Sequence, residues 1–455
     1  MRLSRADLRR RINGDLSLRY EASGLTSFAG LELIGRFLRA LDFREHVRRV
    51  RAALPRSDFG SVPMVMLAVI MLITGARRIR HVDYLRGDAL VARVCGLKRV
   101  ATRHTVGRWL RRFDAGGVTA LLRVNERLVG EVIMRSDLRR LTVDVDGSVL
   151  STGLKAEGAR RGYNPHQRKV PSYYPVTAYE ANTGQVLRVH NRAGNVHDGK
   201  ASVEFLKALY GQLDETLEHR HVLEMRMDGA FFLQEIIDLL EDRGTEYAIK
   251  VPFFPWLGLK DRIASRRRWR RVDEQVECFE QRIPIPAWSR TMRMVIYRKR
   301  VMHRSPKNYQ LDLFDPDDGY YEYSAVVTNK AVTGRTLWYF ICGRGTHEKV
   351  YGELKNGFAF DCIPTQSYEG NSAWQVLSIL AFNLLRGLQA RVTERRRSNR
   401  KRRALHVFET IQTLRYRFIN RAGLLVQPNG RATLDVGNNR RIRERFQAIE
   451  QALAA

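Results

Sequence analysis

The hydrophobic periodicity of the chain changes at Leu141, and that change limits the architectures open to it. Upstream, Leu31, Ile34, Leu38 and Leu41 recur at three- and four-residue spacing, with Leu33 and Phe37 alongside, as on one face of a helix. The apolar run Val62 to Ile73 predicts a buried helix with Pro63 in its first turn, and it is too short to span a bilayer. Downstream, Leu141-Thr-Val-Asp-Val-Asp146 predicts a strand whose alternation puts Asp144 and Asp146 on one face. Strands around Tyr173 to Tyr179 and Gln185 to Asn191 follow, with Asn182-Thr-Gly-Gln185 as a tight turn between them. A helix from about Gly199 to Leu213 leads to the strand Val222 to Met227, which ends at Asp228. A helix over Phe231 to Arg243 and a strand over Tyr247 to Val251 come next.

A three-strand meander followed by alternating helix and strand is the order of a ribonuclease-H-like (RNase-H-like) α/β core. Pro252 and Pro255, around Phe253, Phe254 and Trp256, then break the pattern. A strand-like piece at Thr291 to Val301 and a turn at Asp315-Pro-Asp-Asp-Gly319 make this stretch a β-rich insertion. The strand Tyr323 to Thr328 returns to the core, and a strongly apolar helix over Trp374 to Leu388 is expected beneath the site. The expected layout is a helical DNA-binding region over 1–135, the core over 136–252 and 322–390, the insertion over 253–321, and a basic helical region over 391–455. A chain of 455 residues is long enough for roughly two to four such units.

The charge balance points to the partner. Lys and Arg number 79 against 48 Asp and Glu, a net charge of +31 with a pI near 10.6. Such an excess suits a polyanion, with DNA or RNA first; a ribosomal or membrane-surface protein has the same bulk signature. Thr105 is placed to cap a helix with Arg108, Arg111 and Arg112 outward and Val106, Trp109, Leu110 and Phe113 inward. That is the pattern of the second helix of a helix-turn-helix, and equally of an ordinary amphipathic helix with a solvated basic face. Arg266, Arg267, Arg268, Arg270 and Arg271 surround Trp269 in the insertion, and Arg391 to Arg403 is a second basic run. Either is suited to a phosphate backbone, with Trp269 available to stack on an unpaired base, or is simply a solvated surface. Cys95, Cys278, Cys342 and Cys362 are dispersed without a Cys-x-x-Cys, which argues against a zinc ribbon or a disulfide scaffold. With Arg2, Arg5 and Arg9 to Arg11 crowding a polar start, the expectation is a soluble protein of the cytoplasm.

Three acidic positions carry the candidate chemistry. Asp146 lies in the first strand, Asp228 follows a later one, and Glu348 sits in Arg344-Gly-Thr-His-Glu348, with Lys355 beyond it. Arg344, Glu348 and Lys355 are four and seven residues apart, so a helix carries them on one face. Carboxylates are hard ligands suited to Mg²⁺ or Mn²⁺, and a pair of such ions activates a water or 3′-hydroxyl and stabilises the leaving oxygen of a phosphodiester. Arg344 and Lys355 are suited to hold phosphate oxygens. Asp144 competes with Asp146 for the first position, and Glu353 with Glu348 for the third. Glu348 bridging Arg344 and Lys355 in a structural ion-pair ladder is the plainer alternative. Asn195, His197 and Asp198 either contact DNA or order the site, or form a polar turn capping the next helix.

Five motifs then coincide: Gly75-Ala-Arg-Arg-Ile-Arg-His-Val-Asp-Tyr-Leu-Arg-Gly-Asp88, Asp144-Val-Asp146-Gly-Ser, Arg192-Ala-Gly-Asn-Val-His-Asp198, Arg226-Met-Asp228-Gly-Ala-Phe, and Arg344-Gly-Thr-His-Glu348 with Lys355. By these the chain resembles bacterial insertion-sequence transposases of the DDE domain group 1 family, from Gly75 to about Leu388. The resemblance implies cut-and-paste movement of a short element, with Asp146, Asp228 and Glu348 as metal ligands. It further implies double-stranded DNA as partner (terminal inverted repeats and target), a homodimeric synaptic complex, and a place at the bacterial nucleoid. Similar transposases carry a tyrosine three residues before the arginine; here that position is Ile341, with Tyr339 and Phe340 upstream. A nuclease of the same fold and a catalytically inactive DNA-binding regulator are the alternatives.

Overall fold

In the computed structural model, Leu141 lies in the first strand of a nine-stranded sheet. The structure describes residues 4–454 apart from 15, 19, 22, 153–154, 163–166, 168, 197–198, 200, 218–220, 302–320 and 394–404. The strands are β1 (Arg140–Gly147), β2 (Val176–Glu180), β3 (Gln185–His190), β4 (Val222–Met227), β5 (Glu246–Val251), β6 (Arg270–Arg271), β7 (Val276–Ile285), β8 (Arg290–Arg300) and β9 (Tyr321–Thr328). Their order across the sheet is β3-β2-β1-β4-β5-β9-β8-β7-β6. β1, β4 and β5 run parallel, and every other neighbouring pair is antiparallel. The meander β1-β2-β3 beside the parallel trio makes the fold mixed α/β with an RNase-H-like core.

The stretch expected as a β-rich insertion continues this sheet. β9 pairs with β5, and the long hairpin β7-β8 pairs with β9, so residues beyond 252 widen the core sheet at one edge. β7 was not legible as a strand, because Glu277, Glu280 and Arg282 interrupt its apolar residues and Pro284 sits near its end. Pairing decides it: Arg298 and Arg293 of β8 reach Glu277 and Glu280 of β7, each at 2.7 Å. The turn expected at Asp315 to Gly319 lies outside the described residues.

Helices cover both faces. On the N-terminal side, α1 (Leu31–Ala40) buries Leu31, Leu33, Ile34, Phe37 and Leu38, and α2 (Ser61–Thr74) is buried continuously from Met64 to Thr74. No single helix among the described residues is long and apolar enough to cross a membrane. α3 (Arg103–Leu110) starts one turn earlier than its sequence suggested. Its cap is Thr102, not Thr105: the Thr102 hydroxyl accepts the Thr105 amide at 3.3 Å, satisfying an orphan donor of the first turn. α4 (Ala115–Arg135) is capped by Asp114, which accepts the Gly117 amide at 2.7 Å. α5 (Ser202–Thr216) and α6 (Gln234–Asp242) pack on the sheet face that presents Val143, Val145, Met225 and Met227. α7 (Gly334–Cys342), α8 (Gly345–Phe358) and α9 (Tyr368–Val392) lie on the opposite side.

α9 is buried from Gly370 to Gln389 and packs against α4, α2 and β3. The helices upstream of 135 therefore share one apolar cluster with α8 and α9 and have no separate core. The C-terminal region, expected as helical, is partly strand. Gly423–Val426 pairs with Leu25–Thr26 and with Thr433–Asp435, and α10 (Arg440–Ala454) returns to α1, where Arg36 meets Glu450 at 2.6 Å. Its strand partner comes from the far end of the chain, which no local pattern reveals.

Asn383 ties this assembly together from inside α9. Its amide donates to Asn125 Oδ1 and to the Val186 carbonyl, both at 2.8 Å, and its oxygen accepts the Val186 amide at 2.8 Å. The Val186 carbonyl also accepts from Asn125 Nδ2 at 3.1 Å, so Asn383→Leu strands the Val186 amide and Asn125 Oδ1 and should lower stability by on the order of 3 kcal/mol, read as a drop in the urea midpoint.

Candidate active site

The register of the parallel strands builds the site. β1 and β4 pair up to Val145 with Met227, so the next residue of each strand, Asp146 and Asp228, emerges at the carboxyl end of the sheet. Here the strand order reverses, with β2 on one side of β1 and β4 on the other, the place where open α/β sheets leave a crevice. Asp146 Oδ1 accepts the Gly147 amide at 3.0 Å, and Asp228 Oδ1 accepts the Ala230 amide at 3.0 Å, which orients both carboxylates.

A guanidinium stands between them. Arg344 Nη2 is 2.8 Å from Asp146 Oδ2 and 3.8 Å from Asp228 Oδ2, and Arg344 itself is the N-cap of α8, at its junction with α7. The aspartates so placed suit a hard divalent cation, because two carboxylates converge within reach of one half-buried guanidinium. Glu348 is not with them. It is exposed on the first turn of α8, and among the described residues no three His, Cys, Asp or Glu side chains are placed to share a metal ion. Lys355 lies half-buried on the last turn of α8, its Nζ 3.5 Å from the Val149 carbonyl. Burial lowers its pKa, while the Asp361 and Asp146 carboxylates oppose that shift.

The two competitors are occupied elsewhere. Asp144 shares a strand face with Asp146 but is fully buried, and takes Arg226 Nε at 2.5 Å and Nη2 at 2.7 Å. Arg226 is the residue opposite Asp144 in the β1-β4 register, and its Nη1 donates to the Phe340 carbonyl of α7 at 2.8 Å. Burial raises the Asp144 pKa, with the Arg226 guanidinium pulling the other way. Glu353 pairs with Arg386 and accepts the Ile411 amide at 3.1 Å, so it faces the C-terminal segment.

Sequence reasoning missed three residues beneath the site. His347, inside the Arg344 to Glu348 motif, is completely buried and stacked between Tyr179 and Tyr351, with ring centroids at 5.4 and 4.8 Å. Thr177 of β2 lies 3.0 Å from His347 Nε2 and 2.7 Å from the Tyr351 hydroxyl, which donates to the Asp146 carbonyl at 2.9 Å. One signal was present: His347 and Tyr351 are four apart, hence neighbours on one helical face.

Arg192 is buried and donates to the Tyr174 carbonyl at 3.0 Å, Asn195 is exposed, and His197 and Asp198 lie outside the described residues. Arg108, Arg111 and Arg112 are exposed, with Val106, Trp109, Leu110 and Phe113 buried beneath them. Arg266, Arg267, Arg268, Arg270 and Arg271 are exposed as well. Trp269 does not project with them: its ring meets Phe279 edge-on at 4.8 Å and carries the Arg298 guanidinium 4.5 Å above it, so it packs the sheet edge. Most of Arg391 to Arg403 lies outside the described residues.

An RNase-H-like core with paired aspartates at adjacent parallel strand ends, on a strongly basic chain, defines a class of enzymes acting on nucleic acid. The chain belongs to the transposase DDE domain group 1 family, which it matches over residues 11–455, and it is accordingly a DNA transposase. Among solved structures it is similar to a piggyBac transposase synaptic complex with hairpin DNA, at 10% identity and a TM-score of 0.37, over 80% of this chain and 78% of that one. It is also similar to a Mos1 transposase paired-end complex with the left transposon end, at 12% identity and a TM-score of 0.18, over 34% of this chain and 52% of that one. No curated protein matches it in sequence.

Two outcomes separate scaffold from site. Asp144→Asn strands Arg226 without its counter-charge and should cost about 3–5 kcal/mol in urea denaturation, whereas Asp146→Asn should change stability by no more than about 1 kcal/mol. Burial holds the His347 pKa down to about 3, against 6.5 in the unfolded chain. The unfolded state therefore binds a proton that the native state refuses, so this stability is complete above pH 6.5 and is lost as pH falls towards 3. Between pH 7 and pH 5 the loss should be about 2 kcal/mol, and His347→Phe should abolish that part of the pH dependence.

Proposed function

We propose that the protein cuts and rejoins insertion-sequence DNA by a cut-and-paste mechanism, with Asp146, Asp228 and Glu348 holding Mg²⁺ or Mn²⁺. The observation that carries this reading is the convergence of Asp146 and Asp228 on one guanidinium nitrogen of Arg344. A bound divalent cation supplies there the activation of a water or 3′-hydroxyl and the stabilisation of the leaving oxygen. Arg344 offsets the charge of the two carboxylates; its planar fork equally suits the phosphate oxygens of a scissile strand, and Lys355 offers a second positive charge. Glu348 enters as third ligand on the strength of its motif, one turn beyond Arg344 on α8. Arg108, Arg111 and Arg112, and the exposed arginines from Arg266 to Arg271, track the DNA backbone. The substrates are the terminal inverted repeats and the target duplex, held by a homodimer in a synaptic complex at the bacterial nucleoid.

A catalytically inactive DNA-binding regulator is the second reading, and the exposure of Glu348 away from the aspartates is what favours it. The deciding experiment places the element with its own flanking DNA on a plasmid, with and without Mg²⁺. Wild type should excise it only with metal, and Asp146→Asn, Asp228→Asn and Glu348→Gln should each lose on the order of 10³-fold or more. End binding without cleavage at any metal concentration supports the regulator, and cleavage without joining supports a nuclease.

A further inference from the structure

The hydroxyls beneath the site form a chain whose direction can be derived. The Asp146 carbonyl can only accept, so the Tyr351 hydroxyl, 2.9 Å away, must donate to it. Tyr351 has one proton, so across the 2.7 Å contact its oxygen accepts from Thr177. Thr177 has then spent its proton as well, and across the 3.0 Å contact it accepts from His347 Nε2. His347 is thereby held as the Nε2–H tautomer, and its buried Nδ1 makes no hydrogen bond among the described residues. All three side chains are buried, so solvent offers no substitute partners.

The two ends of this chain are what make it more than packing. At one end is the main chain of Asp146, just past the last rung that β1 makes with β4, where the ladder to that neighbour no longer holds the backbone. At the other end is His347, flanked by Arg344 and Glu348 on α8. The Tyr179–His347–Tyr351 stack presses the same helix onto β2. Neither nearby position of α7 serves instead: residue 341 is a buried isoleucine, and Tyr339 is exposed.

We infer that Tyr351 is a positioning residue of the active site, which with Thr177 and His347 sets the distance and angle between the Asp146 carboxylate and the helix that carries Arg344 and Glu348. It acts through the Asp146 main chain and through α8. This rests on the reading of Asp146 as a metal ligand. Groups that orient ligands from behind typically alter metal affinity or activity by roughly 10- to 100-fold when removed.

The test compares wild type with Tyr351→Phe, which keeps the ring stack and deletes the hydroxyl, and with Thr177→Val and Thr177→Ser. Mn²⁺ binding is followed by titration calorimetry on the DNA-free protein, and excision is measured across a range of Mn²⁺ concentrations. Tyr351→Phe and Thr177→Val should weaken Mn²⁺ binding roughly tenfold or more and raise the Mn²⁺ concentration for half-maximal excision in step. Excision should recover towards wild type at saturating Mn²⁺, end binding should be unchanged, and Thr177→Ser should restore most of the affinity. A merely structural hydroxyl would lower the melting temperature and leave Mn²⁺ affinity where it was, which overturns the inference. Asp146→Asn separates the two readings. If it abolishes Mn²⁺ binding while Tyr351→Phe binds as wild type does, only the positioning role fails; if it too binds normally, the assignment of Asp146 fails first.

Discussion

The buried pair of Asp144 and Arg226 is the contact on which the rest of the site depends. A bidentate ion pair inside a sheet is expensive unless every donor and acceptor is used, and here Arg226 spends its remaining amino group on the Phe340 carbonyl. That one residue therefore locks β1 to β4 and both to the last turn of α7, at Phe340, four residues before Arg344. At the other end of the parallel strands, Arg140 reaches Glu246 at 2.6 Å and Glu224 at 3.2 Å, while Lys330 reaches Glu224 at 2.6 Å. With both ends of the trio tied by charge, the next rung beyond the sheet is placed with little freedom, and Asp146 and Asp228 occupy it.

The position of α8 follows from a different force. α9 runs buried through the molecule and gathers α2, α4, β3 and α8 into one apolar cluster, so the N-terminal helices contribute to the wall behind the site. A core shared in this way puts Val106, Trp109 and Leu110, beneath the basic face of α3, in the same packed cluster as Val350, Tyr351 and Leu354 of α8. Arg344 shows how charge and packing meet: its backbone belongs to the junction of α7 and α8, and its guanidinium to the aspartates.

Much of the fold was legible because period-two and helical patterns are local. β1, α2 and the meander are readable from their apolar spacing, and so is the sharing of one face by Asp144 and Asp146. Which of those two is available to chemistry is not readable, since the answer lies in the register with β4, which sets Arg226 opposite Asp144. Thr102 and Thr105 are both sound caps by composition, and only the first turn's geometry chooses between them. Trp269 reads as an exposed ring among arginines until Phe279 and Arg298, distant in sequence, close over it.

By itself the sequence determined the chemistry on offer: a basic chain, an RNase-H-like order of strands and helices, and acidic residues in motifs that resemble a transposase family. These are properties of composition and local spacing, and short-range sterics and hydrophobic periodicity are enough to express them. Tertiary structure alone decided which carboxylates meet, that an arginine stands between them, that Glu348 faces outward, and that a buried His347, Thr177 and Tyr351 chain backs Asp146. Those outcomes hang on strand register and on contacts between segments hundreds of residues apart, where the free energy of burying and pairing charge, not local preference, selects the partner.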